Sequence, residues 1–367
     1  MLQLNIDCEG PITQNDNAFE LCEKFIPNGG KFFAIVSKYD DFLADVEKRP
    51  GYKAGDTLKL VLPFLKAFGV DNKIMEEFSR QTLMMLPGTE LMLPEVNRML
   101  PSFIISTSYR PYLKALCDAT GFPMDNVFCT DVNLDIYVLD TDEETYLRQT
   151  AGEIAGMDMI QWPDTASDIA DVPLEHRKAI ERLDKIFWEE ISAMKAGKMF
   201  QDVNPVGGAE KARAVQESLL RTGLGLKDVL YAGDSITDVQ ALELVDSGGG
   251  VAVSFNGNRY AIRAARWAVL SSSTLVIAGL CKLLLEKGTD FLKELPVSGN
   301  GELDTALLVQ EIKDAGIGGD ISDAMDELLH KGQIQMFDVS VAPMDMLIEQ
   351  SERMRKGVRG HGIGELG

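Results

Sequence analysis

The sequence is poor in positive charge. Its 367 residues include 36 Lys and Arg against 57 Asp and Glu, which gives a formal net charge of −21 at pH 7. A chain this acidic repels nucleic acids and anionic membranes unless a local basic patch reverses the field. We therefore expect no nucleic-acid partner and no membrane partner. A phosphorylated molecule meets the same repulsion, so a site for one needs a metal ion and a few cations, for which Lys211 and Arg110 are candidates.

Paired cysteines and long apolar runs are also lacking. The five cysteines include no Cys-x-x-Cys pair and are odd in number, which is typical of free thiols in a reducing compartment and gives no indication of a zinc site. The apolar stretch 274–285 is interrupted by Lys282 and is too short to span a bilayer. The N-terminus has no basic region followed by an apolar segment. We therefore expect a cytoplasmic protein.

What the chain does contain is a regular alternation of strand and helix patterns. With 45% hydrophobic and 25% charged residues it has the composition of a soluble globular protein. Short apolar segments, bounded by turn residues and separated by helical patterns, occur at 2–6, 102–108, 127–130, 228–233, 250–254 and 267–270. This alternation predicts an α/β fold with a doubly wound parallel sheet.

The length predicts two or three compact units rather than one. A mostly helical pattern over 14–87 predicts an inserted helical cap. The catalytic core is then predicted at 1–13 and 88–289, with a mixed insertion at about 131–204. The pattern over 290–367 predicts a small C-terminal α+β appendage of two helices and a short strand. Such an appendage is suited to packing, to homo-oligomer formation or to binding within a protein complex.

Acidic loops follow two of the predicted strands. Asp7 and Glu9 follow the first strand, and Asp234 and Asp238 follow the strand at 228–233. If these strands are neighbours in a parallel sheet, their carboxylates converge at one edge and can hold a divalent cation beside a nucleophile. Cleavage of a phosphate ester needs a nucleophile, a proton donor and positive charge on the transferring group. We predict Asp7 as the nucleophile, Glu9 as the proton donor and acceptor, and Asp234 as a metal ligand.

Ser106 and Lys211 are the candidates for holding the phosphoryl oxygens. Each of these residues taken alone has a simpler interpretation: an aspartate at a strand end forms a turn, a serine caps a helix, and a lysine on a helix is exposed. Two acids four residues apart at a strand-to-helix turn have fewer such alternatives. The prediction therefore depends on the ordered set and not on any single residue.

That ordered set resembles the haloacid dehalogenase (HAD) superfamily of phosphatases and phosphotransferases, and its phosphoserine phosphatase branch most of all. The first motif of the family, D-x-D-G-x-x-T, corresponds to DCEGPIT at 7–13. Its second motif, an apolar strand ending in a hydroxyl residue, corresponds to the strand ending at Ser106. Its lysine corresponds to Lys211, and its acidic motif to GDSITD at 233–238. The resemblance covers about 1–13 and 88–285, with interruptions.

The resemblance implies a Mg²⁺-dependent phosphomonoester hydrolase that forms an aspartyl-phosphate on Asp7 and acts on a small phosphorylated metabolite. Oxygen-only ligands also favour Mg²⁺ over zinc. The backbone carbonyl of Glu9 would contribute to the metal site. The implied metal site consists of Asp7, Glu9, Asp234 and Asp238. The implied phosphate-binding residues are Ser106, Thr107, Lys211 and Asn256.

Two departures from the family pattern leave an alternative open. Glu9 replaces the second aspartate of the first motif, which moves the carboxyl group by about one bond length and re-aims acid–base catalysis. Thr237 stands where the phosphoserine phosphatase branch usually has asparagine. The chain also resembles archaeal HAD proteins labelled as a subunit of an energy-converting hydrogenase. The alternative is therefore a weakly active or non-catalytic regulatory or assembly subunit; phosphotransfer to an acceptor other than water is a third option.

Overall fold

A largely parallel β-sheet forms the centre of the protein, seen here in a computed structural model that describes residues 1–163 and 165–360. The strands are β1 (Gln3–Ile6), β2 (Ser102–Tyr109), β3 (Val127–Thr130), β4 (Val229–Gly233), β5 (Val251–Phe255), β6 (Trp267–Ser271) and β7 (Ile334–Asp338). They lie in the order β3-β2-β1-β4-β5-β6-β7, and every neighbouring pair is parallel except β6–β7. The predicted α/β fold with a doubly wound sheet is confirmed.

Helices connect the strands and extend beyond the sheet. They are α1 (Asn17–Phe25), α2 (Gly29–Asp41), α3 (Thr57–Leu60), α4 (Leu62–Ala67), α5 (Asn72–Thr82), α6 (Thr89–Met99), α7 (Arg110–Thr120), α8 (Thr141–Gly156), α9 (Leu174–Asp184), α10 (Lys198–Asp202), α11 (Ala209–Thr222), α12 (Val239–Ser247), α13 (Arg259–Ala264), α14 (Leu275–Lys287), α15 (Thr305–Asp314), α16 (Gly319–His330) and α17 (Met344–Arg359). Among the residues described, none of these helices is both long and apolar enough to cross a membrane.

The central strands are buried because both faces of the sheet are covered. In β4, Leu230 and Ala232 belong to the apolar core on one face, whereas Val229 and Tyr231 belong to the core on the other. This alternation follows from the two-residue period of a strand. Residues of α6, α7 and α14 complete the first core, and residues of α11 and α12 complete the second. Strands buried on both sides read as nearly continuous apolar runs, which is why the sequence pattern identified them.

Two segments that are far apart in sequence pack into one helical body, made of α1–α5 and α8–α10. A single apolar cluster contains Phe32 of α2, Phe64 of α4 and Phe187, which follows α9. The ring centroids of Phe32 and Phe64 lie 4.9 Å apart, and those of Phe64 and Phe187 lie 6.2 Å apart. The segment 131–204, which the sequence pattern left as an insertion of mixed content, therefore packs with the helices of the predicted cap.

The C-terminal segment joins the sheet and then returns along it. Strand β7 pairs antiparallel with β6, so that Ile334 lies opposite Ser271 and Asp338 lies opposite Trp267. Since Trp267 begins β6, strand β7 ends at the edge where the parallel strands start. Helix α17 packs against β6 and α13 and runs from that edge toward the opposite one. This direction brings the last turn of α17 to the carboxyl ends of the strands.

Candidate active site

Three carboxylates converge where β1 and β4 end. Ligands of open α/β sheets bind at the carboxyl ends of strands where the strand order reverses, and β1 lies between β2 and β4 at such a point. Asp7 follows β1, and its backbone N–H donates to the carbonyl of Ala232 in β4 at 2.9 Å. The carboxylates of Asp7, Asp234 and Asp238 are buried and have oxygens within 4.8 Å of one another. The topology therefore brings both acidic loops together.

Lys211 lies between two of these carboxylates. Its Nζ is 2.6 Å from Asp7 Oδ2 and 2.8 Å from Asp238 Oδ1, and its side chain is not exposed to solvent. Burial alone disfavours the ammonium, but Asp238 and Asp7 together raise the pKa of Lys211 above its ordinary value. The lysine therefore stays protonated and places a fixed positive charge beside the Asp7 carboxylate.

Asp7 is a buried carboxylate whose ionised form requires nearby positive charge. Its Oδ1 accepts a hydrogen bond from the N–H of Cys8 at 2.7 Å. The pKa of Asp7 is raised to about 8, mainly by burial; Lys211 opposes this rise, and Asp238 and Asp234 contribute to it. An additional cation beside Asp7 would favour the ionised form, which is the form that can attack phosphorus.

Asp238 holds the site together rather than offering free ligand oxygens. One carboxylate oxygen accepts hydrogen bonds from Lys211 Nζ at 2.8 Å and from the Tyr231 hydroxyl at 2.7 Å. The other accepts from the N–H groups of Asp234 and Ser235 at 3.0 and 3.1 Å and from the Ser235 hydroxyl at 3.3 Å. With both oxygens occupied in this way, Asp238 fixes the loop after β4 and orients the lysine.

Gly10 allows the two acidic loops to approach each other closely. Its φ angle is +104°, a conformation that L side chains rarely adopt, and a Cβ added there would lie 2.0 Å from Asp234 Oδ2. A side chain at this position would therefore displace the Asp234 carboxylate. The glycine of the first motif is required by this contact.

Glu9 both caps a helix and faces the site. Its Oε1 accepts a hydrogen bond at 2.7 Å from the N–H of Asn17, the first residue of α1. Burial raises the pKa of Glu9 well above its ordinary value, and Asp16 raises it further. A carboxylic acid that keeps its proton near neutral pH can serve as a general acid. The raised pKa favours the protonated form of Glu9.

Asp7, Glu9 and Asp234 line a small cavity between the strand ends and the helical body, whereas Lys211 and Asp238 are not among its lining residues. The cavity has a volume of about 100 Å³ and includes Asp7 and Glu9 in its wall. The helical body contributes Phe33, Asp41 and Leu58 from the opposite side. A space of this size accommodates a phosphoryl group. The cap predicted from the sequence therefore contributes directly to the wall of the site.

Two arginines of α17 also line the cavity, and the sequence pattern did not identify them. Arg355 Nη1 contacts Asp234 Oδ2 and donates to the Asp234 carbonyl at 3.1 Å, and Arg359 Nη1 lies 3.0 Å from Asp234 Oδ2. Both side chains are buried. Their spacing of four residues indicates a shared helix face. Nothing in the sequence indicates that this face meets Asp234.

The predicted phosphate-binding residues lie at different distances from the cavity. Thr107 lines it, and its hydroxyl donates to the Val206 carbonyl at 3.0 Å. Ser106 and Asn256 are not among the described residues that line it. The Ser106 hydroxyl oxygen accepts from the N–H of Ser108 at 3.2 Å.

Asn256 and Arg110 have other partners. The Asn256 amide donates to the carbonyl of Ser271 at 2.7 Å and accepts from its N–H at 2.9 Å, which ties the end of β5 to the end of β6. Arg110 forms an ion pair with Asp131, and both side chains are well exposed. These contacts explain the positions of both side chains without a bound phosphate.

The donor set fits a hard divalent cation, with one condition. Asp7 and Asp234 supply carboxylate oxygens close to each other, as Mg²⁺ requires, and no nitrogen or sulfur ligand lies among the three clustered residues. However, Asp234 already contacts the guanidinium groups of Arg355 and Arg359. A cation between Asp7 and Asp234 would have to share this carboxylate with two positive groups.

The solved structures that resemble this chain include one that aligns over its full length. The structure of gene product AF1437 from Archaeoglobus fulgidus matches with a TM-score of 0.77 and 26% sequence identity, and the alignment covers 100% of this chain and 99% of that chain. The two proteins therefore share a fold that includes the helical body and the C-terminal segment. The name of the archaeal protein does not state an activity.

Two further solved structures align only distantly. A HAD family hydrolase from Salmonella enterica serovar Typhi matches with a TM-score of 0.41 and 11% identity, covering 70% of this chain and 62% of that chain. A substrate-bound phosphoserine phosphatase matches with a TM-score of 0.40 and 11% identity, covering 72% of this chain and 90% of that chain. Similarity at this level supports no conclusion about function. No protein-family model and no curated protein matches the chain.

Proposed function

We propose that the protein is a Mg²⁺-dependent phosphomonoester hydrolase of the HAD type that acts on a small phosphorylated molecule through Asp7. The observation that carries this proposal is the contact of the buried Asp7 carboxylate with Lys211 at 2.6 Å, at a strand end where Asp234 also lies. A carboxylate is a poor nucleophile toward an anionic phosphate unless nearby positive charge offsets the repulsion. Lys211 supplies part of that charge.

In this proposal the reaction has two steps, formation of an aspartyl-phosphate and its hydrolysis. Asp7 attacks phosphorus and the ester P–O bond breaks, while Glu9 gives its proton to the leaving oxygen, so that an alcohol and an aspartyl-phosphate result. Glu9 then accepts a proton from water, whose oxygen attacks the same phosphorus, and phosphate and the Asp7 carboxylate are released. Mg²⁺, held by Asp7, the Glu9 carbonyl and Asp234, would neutralise charge on the transferring group. Lys211 stays bound to Asp7 and Asp238 throughout.

Cavity size and cysteine chemistry support the remaining parts of the proposal. A cavity of about 100 Å³ favours a small substrate over a macromolecule. All five cysteines are free and buried, as expected of a protein that works in the reducing cytoplasm. The acidic composition opposes a nucleic-acid substrate.

A second candidate function is favoured by the arginines at Asp234. If Arg355 and Arg359 hold this carboxylate permanently, the chain keeps the fold but not the turnover, and serves as a regulatory or assembly subunit. The bond between Glu9 and the N–H of Asn17 agrees with such a role, because it uses the proposed proton donor as a helix cap.

An assay on a panel of small phosphate monoesters distinguishes the two functions. Wild type, Asp7→Asn and the control Asp131→Asn are measured with and without Mg²⁺; Asp131 follows β3 and is 73% exposed. Hydrolysis predicts Mg²⁺-dependent turnover in wild type and in Asp131→Asn, none in Asp7→Asn, and a phosphorylated protein detectable by mass spectrometry after rapid quenching. A folded wild type that is inert on the whole panel supports the subunit function instead.

A further inference from the structure

The end of helix α17 is bound to the strand-end loops through polar contacts. Arg359 donates from Nε to the carbonyl of Gln14 at 3.1 Å and from Nη2 to the carbonyl of Asn15. Ser351, two turns earlier, donates to the carbonyl of Gly257 at 2.7 Å. These contacts join α17 to the loop before α1 and to the loop after β5. They hold the guanidinium groups in place at Asp234.

The arginine contacts are strong because water is largely excluded. The side chains of Arg355 and Arg359 are 4% and 5% exposed, and that of Asp234 is 2% exposed. In such a site an ion pair is screened far less than at the surface, and a charge without a partner is costly. The same physics makes a divalent cation beside two guanidinium groups unfavourable. Asp234 can therefore satisfy either the arginines or a cation, but not both in full.

We propose that Arg355 and Arg359 set the cation affinity of the site by competing with Mg²⁺ for the Asp234 carboxylate, so that cation binding requires the end of α17 to withdraw. The inference rests on the proposed function for the identity of the cation site. Both arginines are positioning residues in this scheme, since they act through Asp234. Binding equilibria are reciprocal, so a loaded cation weakens the docking of α17 by the same factor by which docked α17 weakens cation binding.

The first test is the Mg²⁺ affinity of the full chain, measured by isothermal titration calorimetry, with Mn²⁺ as a second probe. The double variant Arg355→Gln/Arg359→Gln should bind at least about tenfold more tightly than wild type, because the competing charges are gone. Arg359→Lys keeps a positive charge and should bind more weakly than the double variant. Arg353→Gln is the matched control: it lies on the same helix, is 73% exposed, pairs with Glu349, and should leave the affinity unchanged.

A second measurement uses unmodified protein and so does not depend on how the variants fold. Hydrogen–deuterium exchange of residues 344–360 should become faster when Mg²⁺ is added, while exchange in β1 and β4 should not. Unchanged exchange in α17 at a Mg²⁺ concentration that saturates the site overturns the proposal. Equal or weaker Mg²⁺ binding by a folded double variant also overturns it, as does failure of every variant to bind either cation.

The outcome for hydrolysis is read separately. Tighter Mg²⁺ binding by the double variant, in a protein that hydrolyses no ester, supports the competition and refutes the proposed hydrolysis. Mg²⁺-dependent turnover, with an affinity that is the same in wild type and in the double variant, supports hydrolysis and overturns the competition. The two proposals can therefore fail independently.

Discussion

Lys211 and Asp238 form an ion pair from which solvent is excluded: Nζ lies 2.8 Å from Oδ1, and neither side chain has any exposed surface. Lys211 contacts Asp7 from the same position. Because Asp238 also binds the N–H groups of its own loop, the lysine is oriented by a carboxylate that cannot easily move. The pair thus links the proposed nucleophile to the framework of the sheet.

Replacing Lys211 by methionine should strongly destabilise the fold. Lys211→Met leaves Asp7 and Asp238 buried without their cation, and breaking a buried pair in this way costs about 3–5 kcal/mol. The free energy of unfolding, measured by urea denaturation at neutral pH, should fall by this amount. The control Lys331→Met removes an exposed pair with Glu327 and should change stability by less than about 1 kcal/mol. Equal effects of the two substitutions would contradict the role given to Lys211.

Alanine at Gly10 should disturb the site through backbone strain and a steric clash. The new Cβ would lie 2.0 Å from Asp234 Oδ2, and the alanine backbone would have to adopt a φ of +104°. We expect a loss of about 1–3 kcal/mol in the free energy of unfolding and weaker Mg²⁺ binding. Gly152→Ala provides the comparison, because Gly152 lies within α8 with open space around it. That change should be neutral or stabilise by up to about 1 kcal/mol.

Glutamine at position 9 should separate capping from catalysis. The amide oxygen of Glu9→Gln can still accept from the N–H of Asn17, so the melting temperature should stay close to that of wild type. The amide cannot transfer a proton, and turnover should fall by about 10²- to 10⁴-fold. Glu23→Gln, an exposed change on helix α1, should leave turnover intact. Retained activity in Glu9→Gln would remove Glu9 from the mechanism.

Asp40 should make the stability of the protein depend on pH. Its carboxylate accepts from the Tyr52 hydroxyl at 2.5 Å and from the N–H of Gly55 at 2.8 Å, and burial raises its pKa to about 8. Between the ordinary pKa and this value, the folded state holds a proton that the unfolded state has lost. The free energy of unfolding therefore falls as pH rises from about 4 to about 8 and levels off above that.

The neutral variant Asp40→Asn has no such proton, and its amide can bond the same two groups. The melting temperature of the variant minus that of wild type, followed from about pH 5 to about pH 9, should increase up to about pH 8 and then stay constant. A difference that is flat across this range would show that Asp40 is ionised in the folded protein at all these values.

The parts of the fold that depend on local pattern could be predicted from the sequence. Strand β4 is a continuous apolar run, β1 carries Leu4 and Ile6 between polar residues, and the acids follow both strands directly. The meeting of Asp7 with Asp234 follows from the rule that parallel strands end at a common edge. Lys211 is predicted from its place in the ordered set of motifs, because a lysine on a helix taken alone is usually exposed.

The parts that depend on distant packing could not be predicted. The amphipathic pattern of α17 shows that Arg355 and Arg359 share a face, but which surface that face meets is decided by the antiparallel direction of β7. In the same way, the pattern around Phe187 indicates a buried face without indicating that its partner is Phe64. The bonds between Asn256 and Ser271 join the ends of two neighbouring parallel strands, and no local signal distinguishes such an asparagine from a ligand.

The length of α17 matches the distance from the amino ends of the parallel strands to their carboxyl ends. Its 16 residues extend about 24 Å at 1.5 Å per residue, from the turn after β7 to the carboxylate of Asp234. One inserted residue would rotate everything beyond it by about 100° and turn both guanidinium groups aside. The count from Pro343 to Arg359 is fixed by geometry, whatever residues occupy its outer face.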